Sequence, residues 1–143
     1  MGWLSQSPQF APGTIREQFL ACKPKLSDGD MKDLLNSCGL DIKDLTDGLE
    51  TNIGGFGEKT DQVSGGQLRK IALARALVKR PQVLIVDEPT ADCDEKSAVI
   101  VMKRLREEAA GGLIVIAITH DLSLLTANDK TIFVREVINV EHS

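Results

Sequence analysis

The aliphatic run Val83-Leu84-Ile85-Val86, closed at once by Asp87-Glu88-Pro89, constrains the fold more than any other part of this chain. A short, unbroken apolar run predicts a strand over 83–87, buried on both faces of a parallel sheet. Pro81 ends the helix before it. After it, Asp94 is placed to cap a helix whose apolar positions Ala98, Val101, Met102, Leu105 and Ala109 recur at helical spacing, and Gly111-Gly112 ends that helix. Leu113 to Ile118 predicts a second buried strand. A short helix near Leu122 to Thr126 and a third strand over Thr131 to Val134 complete a β-α-β-α-β order.

The first 80 residues read as mainly helical. Ser27 precedes a helix with Met31, Leu34, Leu35 and Cys38 on one face and Gly39 at its end, and a second helix is expected from about Gly66 to Lys79. Residues 46–63 carry four glycines and little periodicity, so an ordered surface loop is expected there. Trp3 reads as a packing residue at a strand edge.

With 42% hydrophobic and 27% charged side chains, the 143 residues have the composition of one ordinary soluble domain. A net charge of −4 argues against nucleic acid as a partner, because phosphate contact needs clustered Lys and Arg. The apolar stretches are far shorter than the roughly 20 residues a membrane-spanning helix needs. Met1 to Gln6 has neither the basic region nor the apolar core of a secretory signal. Cys22, Cys38 and Cys93 are odd in number and widely spaced, which fits plain thiols better than a disulfide framework or a zinc site.

Three short segments carry candidate chemistry. Asp87-Glu88 would stand at the carboxyl edge of a parallel sheet, where open α/β sheets bind ligands. There Asp87 can hold Mg²⁺ and Glu88 can orient or deprotonate a water, or the pair with Pro89 simply makes a polar strand exit. Ser64-Gly65-Gly66 opens a helix whose first-turn N–H groups favour an anion, or it is an ordinary N-cap with glycines making the turn. His120 follows the second strand, and taken alone it reads as a solvated histidine.

The stretch Gln67-Leu68-Arg69-Lys70-Ile71-Ala72-Leu73-Ala74-Arg75-Ala76-Leu77 ties these segments together. With Val63-Ser64-Gly65-Gly66-Gln67 before it, then Pro81, the aliphatic strand, Asp87-Glu88-Pro89-Thr90 and Ile118-Thr119-His120-Asp121, the chain resembles the ATPase domain of the ATP-binding cassette (ABC) family. The resemblance runs from the family's glutamine loop to the region after its switch histidine. It implies an α/β fold: a partial P-loop NTPase-like parallel sheet with a mainly helical signature subdomain. The division expected is 1–80 for the glutamine loop and helical signature part, and 81–143 for the Walker B, D-loop and switch-histidine part.

Residue by residue, the resemblance implies that Gln6 is the loop glutamine that senses Mg²⁺ and faces transmembrane domains. Asp87 is the magnesium aspartate, Glu88 the catalytic glutamate, His120 the switch histidine and Asp94 the D-loop aspartate. Ser64, Gly65, Gly66 and Gln67 would close over ATP held by a second cassette. The implied setting is the cytoplasmic face of a membrane, with ATP and Mg²⁺ as ligands. Pro12-Gly13-Thr14-Ile15-Arg16-Glu17 and Thr51-Asn52-Ile53-Gly54 with Gly57 resemble exporter-type cassettes. Gly55 stands where exporters carry a glutamate, however, and Glu58 comes later. Other departures are Val63 for leucine, Lys70 for arginine and Ala91-Asp92-Cys93-Asp94 in the D-loop.

No G-x-x-x-x-G-K-[ST] loop occurs in the sequence, so the Walker A lysine is missing. The expectation is a segment of a longer cassette, or one that pairs with a piece carrying the rest, inactive by itself. Two alternatives are a non-hydrolysing cassette-derived interaction module and an SMC-type ATPase lobe. The second would call for a flanking coiled coil and no glutamine loop.

Overall fold

The computed structural model describes residues 1–54 and 63–133. Three parallel strands make the main sheet: β1 (Gly2–Leu4), β4 (Val83–Asp87) and β5 (Ile114–Ile118), in the order β1-β4-β5. A two-stranded antiparallel pair, β2 (Gly13–Thr14) and β3 (Asn52–Gly54), lies outside it. Four α-helices occur among the described residues: α1 (Ile15–Cys22), α2 (Asp28–Ser37), α3 (Gly65–Leu77) and α4 (Glu95–Ala110).

The helix starts follow from local chemistry. Ser27 accepts from the Asp30 N–H to open α2, and Asp94 accepts from the Ser97 N–H to open α4. At α3, Ser64 and Gln67 exchange side-chain and backbone bonds in a capping box. The same device opens α1, where Thr14 accepts from Glu17 N–H and the Glu17 carboxylate accepts from Thr14 N–H. Sequence reasoning passed over α1, although Thr14-Ile15-Arg16-Glu17 carries that signature.

One core runs through both halves of the chain. Leu4, Leu84 and Val86 of the sheet pack into a cluster with Phe19, Met31, Leu35, Ile71, Leu73, Val101 and Leu105. Each fully buried Leu or Val of this kind contributes roughly 1.5–3 kcal/mol from area removed from water. The β2–β3 pair closes over the same core, and its approach is tight. A Cβ on Gly54 would stand 1.7 Å from the Ala11 carbonyl oxygen, so only glycine fits there.

The sheet departs from expectation in two ways. Neither of the two strands expected to be buried, β4 and β5, is buried on both faces. Leu84 and Val86 face the core, whereas Val83 and Ile85 are half-buried and Ile114, Ile116 and Ile118 stand 59%, 49% and 51% exposed. The described helices cover one face, and β5 turns its isoleucines to the other. The third strand expected over Thr131 to Val134 is also not found in its described part. Thr131–Phe133 pair with no strand, and Val134 lies outside the described residues. The neighbour of β4 on its other side is β1, at three residues too short to carry a periodic signal.

Smaller differences follow the same logic. The short helix after β5 is a single 3₁₀ turn, Leu122–Leu124, and Ala109 is exposed because α4 outruns the core. Trp3 does sit on an edge strand, but on its uncovered face, where it is 54% exposed in one row with Ile85 and Ile116. The loop expected over 46–63 holds a 3₁₀ turn, Gly48–Glu50, followed by β3, with Leu49 and Ile53 buried. Residues 55–62 of that loop, including Gly55, Gly57 and Glu58, lie outside the described residues.

Candidate functional site

Parallel pairing brings the ends of all three main strands to one sheet edge. Leu4 pairs with Val86 and Asp87 with Ile118, so Gln6, the Asp87-Glu88 pair and Thr119-His120 leave the sheet side by side. That edge is where doubly wound sheets place ligands. Two concavities, of about 490 and 730 Å³, lie elsewhere, around Pro81-Gln82 ahead of β4. Neither is lined by Gln6, Ser64, Gly65, Gly66, Gln67, Asp87, Glu88, Asp94 or His120, and the edge geometry is the better guide to chemistry.

Glu88 is the most constrained residue of the edge. Its φ of +48° lies in the left-handed region, which costs a non-glycine residue on the order of 1–3 kcal/mol, and its N–H donates to the Ile118 carbonyl at 2.8 Å. The turn sends its carboxylate back across β5. There Oε2 accepts from the Thr119 hydroxyl at 3.2 Å, and Oε1 accepts from the His120 N–H at 3.0 Å and lies 2.7 Å from His120 Nδ1.

These contacts set the titration of the pair. Burial pushes the Glu88 carboxyl up, but the bonds from the His120 ring, the His120 N–H and Thr119 outweigh it and hold it below its ordinary value. His120 is raised, chiefly by its bond to Glu88 and then by the charge of that carboxylate. The Glu88 side chain is 14% exposed and that of His120 is 89% exposed, so the carboxylate is sheltered and the ring faces solvent. The family resemblance implies no role for Thr119, yet its hydroxyl donates to the Glu88 carboxylate. Its hydroxyl also accepts from the Asp121 N–H at 3.0 Å, fixing the turn that carries His120.

Asp87 ends β4 half-buried, with no hydrogen-bonding side-chain partner among the described residues. Gln6 is exposed. One carboxylate and one amide oxygen at an open edge match the way Mg²⁺ is held, which leaves its remaining positions to water and phosphate oxygens. No group of three or more His, Cys, Asp or Glu that could enclose a metal occurs among the described residues.

The Ser64-Gly65-Gly66 turn is built against a different neighbour. A Cβ on Gly66 would come 2.8 Å from the Asp92 carbonyl oxygen, and one on Gly65 would come 3.1 Å from Asp92 Cβ. The glycines therefore admit the turn after Pro89, where Asp92 itself has a φ of +60°. The helix pattern leaves the N–H groups of Gly65 and Gly66 without an intrahelical acceptor, as an anion site requires. Gln67 spends its side chain locally, accepting from the Ser64 N–H at 2.8 Å and donating to the Asp44 carbonyl at 3.5 Å.

Asp94 is likewise committed to its own helix. Bonds from the Ser97 N–H and hydroxyl hold its carboxyl below the ordinary value, and Ser97 Oγ accepts from Lys70 Nζ at 2.7 Å. The structure thus brings Gln6, Asp87, Glu88 and His120 to one edge and ties Ser64, Gly65 and Gly66 to the Asp92 turn beside Asp94. All three cysteines are unpaired, and burial pushes the Cys38 thiol up to about 12.

Comparison with known proteins bears on this arrangement. A family model described as ABC transporter matches residues 1–91. The chain is 36% identical over 135 residues to the ATP-dependent permease MDL1 of Candida albicans, covering 92% of this chain and 19% of that protein. It is 37% identical over 145 residues to the ABC multidrug transporter MDR1 of Cryptococcus neoformans var. grubii, covering 97% of this chain and 10% of that protein. A solved structure described as a bacterial Atm1-family ABC exporter with ATP bound superposes with a TM-score of 0.72 at 27% identity, covering 85% of this chain and 21% of that one. The chain therefore spans between a tenth and about a fifth of the length of these relatives.

Proposed function

The chain belongs to the ABC transporter family, and from that premise we propose that it is part of a nucleotide-binding ATPase domain that couples ATP binding and hydrolysis to transport, in the direction of export. The observation that carries this reading is the convergence of Gln6, Asp87, Glu88 and His120 on one edge of a parallel sheet. The names of the relatives, a permease, a multidrug transporter and an exporter, support the direction.

In this reading the sheet is part of a P-loop NTPase-like core. A Walker A half, from the same polypeptide or a separate one, completes the site, and "completed cassette" below means this chain joined to such a half. Glu88 accepts a proton from, or orients, the attacking water, and His120 and Thr119 hold its carboxylate in place. Asp87 and Gln6 would hold Mg²⁺, which supplies charge neutralisation at the transferring phosphoryl group. Ser64, Gly65 and Gly66 present backbone N–H groups to the nucleotide of a second cassette, and Asp94 stands beside that interface. Transmembrane domains are the further partners, which places the domain at the cytoplasmic face of a membrane. No helix among the described residues is itself long and apolar enough to cross one.

The test is Glu88→Gln in the completed cassette. Turnover is expected to fall by about 10²–10⁴-fold, with an ATP-bound dimer that persists. Absence of ATP turnover in the completed cassette with Glu88 intact would sink the ATPase reading, unchanged turnover in Glu88→Gln would remove Glu88 from catalysis, and loss of ATP binding altogether would assign it to the fold.

A further inference from the structure

Arg69 is among the largest fully buried side chains of the molecule, 2% exposed, yet the partners of its guanidinium are mostly neutral. Nη1 donates to the Ser5 carbonyl at 3.3 Å and Nη2 to the carbonyl of Gln6. The nearest carboxylate oxygen, Asp92 Oδ2, is 3.9 Å from Nη2 on a side chain that is 70% exposed. Nε has no partner among the described residues. A buried cation with so little compensation is a poor way to stabilise a core, since an apolar side chain of similar volume would fill the space without the desolvation cost. What an apolar side chain cannot do is grip two consecutive carbonyls with one planar fork.

The two carbonyls belong to the strap that leaves β1 toward Gln6. Farther along α3, Arg75 holds the next part of that strap, donating to the Gln9 carbonyl at 2.9 Å and stacking 4.6 Å over the Phe10 ring. Helix α3 begins at the Ser64-Gly65-Gly66 turn, which rests on the Asp92 turn. One side chain therefore joins the glutamine-bearing strap to the helix that positions the glycine turn, with the Asp92 carboxylate close by.

We propose that Arg69 is a positioning residue: its fork on the Ser5 and Gln6 carbonyls fixes Gln6 relative to the Ser64-Gly65-Gly66 turn, so that the two move as one body. The functional half of this inference rests on the proposed role of Gln6 toward Mg²⁺. The mechanical half stands on the bonds alone.

The experiment compares Arg69→Gln and Arg69→Lys in the completed cassette, in a Glu88→Gln background that binds nucleotide without turning it over. Amide hydrogen exchange reads residues 6–10 against α3, and a fluorescent ATP analogue reads the Mg²⁺ concentration for half-maximal binding. For Arg69→Gln, exchange in the strap and the Mg²⁺ midpoint are each expected to rise about tenfold, the equivalent of one lost charge-assisted bond, while exchange in α3 stays unchanged. Lysine, which keeps the charge but reaches fewer carbonyls, should fall between glutamine and wild type. Unchanged strap exchange and Mg²⁺ midpoint overturn the inference, and so does faster exchange of strap and α3 together. If the glutamine variant does not fold, the lysine variant decides by the same criteria. Absence of ATP turnover in the completed cassette with Glu88 intact would defeat the proposed function and leave the exchange result to judge the strap.

Discussion

Glu88 and His120 meet at one oxygen: the His120 N–H donates to Glu88 Oε1 at 3.0 Å, and ring Nδ1 lies 2.7 Å from the same atom. Glu88 is held below its ordinary value of 4.5 and His120 above its ordinary value of 6.5. The histidine's contribution is fully present below about pH 6.5 and is lost as pH rises through its raised folded value. The glutamate's is present above about pH 4.5 and is lost as pH falls through its lowered folded value. The pair is thus at full strength between those limits. An NMR titration is expected to place the His120 midpoint above 6.5, and Glu88→Gln should return it toward 6.5. The ring is 89% exposed, so solvent screening keeps the accompanying change in stability small.

Thr119 shares the Glu88 carboxylate with His120, at 3.2 Å. Thr119→Ala in the completed cassette should lower kcat for ATP about tenfold, the loss expected from one hydrogen bond, with KM little changed. Thr119→Ser should restore most of it. A Thr119→Ala enzyme with wild-type kcat would show that His120 alone positions the carboxylate.

Two glycines should respond in opposite directions. Gly54→Ala places a Cβ 1.7 Å from the Ala11 carbonyl oxygen, and urea unfolding should show a loss of at least about 1–3 kcal/mol. Gly29, in the first turn of α2, has only Ser27 Oγ near its absent Cβ, at 3.8 Å. Gly29→Ala is expected to stabilise by about 0.4–1 kcal/mol, because alanine has less conformational freedom to lose on folding.

The two faces of the sheet should differ as sharply. Leu84 is fully buried, and Leu84→Ala should cost about 2–5 kcal/mol by chemical denaturation. Ile116 is 49% exposed on the other face, and Ile116→Thr in this chain should stay within about 0.5 kcal/mol of wild type. In the completed cassette the Ile116→Thr cost should rise toward the core value. An unchanged cost there would mean that the added half leaves this face open.

The central strand, the helices α2, α3 and α4, and the order of the motifs were all legible in the residues themselves. Each rests on a local cause: an aliphatic run closed by carboxylates, a Ser or Asp cap, an apolar stripe at helical spacing. α1 carried the same kind of signal, a Thr-x-x-Glu capping box, and could have been read. What the residues could not disclose are the relations set by distant chain segments. Residues 2–4 become a strand only because Val83–Asp87 lies beside them. Thr131–Phe133 look like a strand but find no partner among the described residues. The isoleucines of β5 look like core but face outward, because the described helices pack on the other side. The same holds within the site. Sequence named Gln6, Asp87, Glu88 and His120, and strand order, which no local pattern encodes, gathered them at one edge. It could not show Thr119 on the Glu88 carboxylate or Arg69 on the Gln6 carbonyl, since those bonds span 31 and 63 residues and depend on how sheet and helix meet.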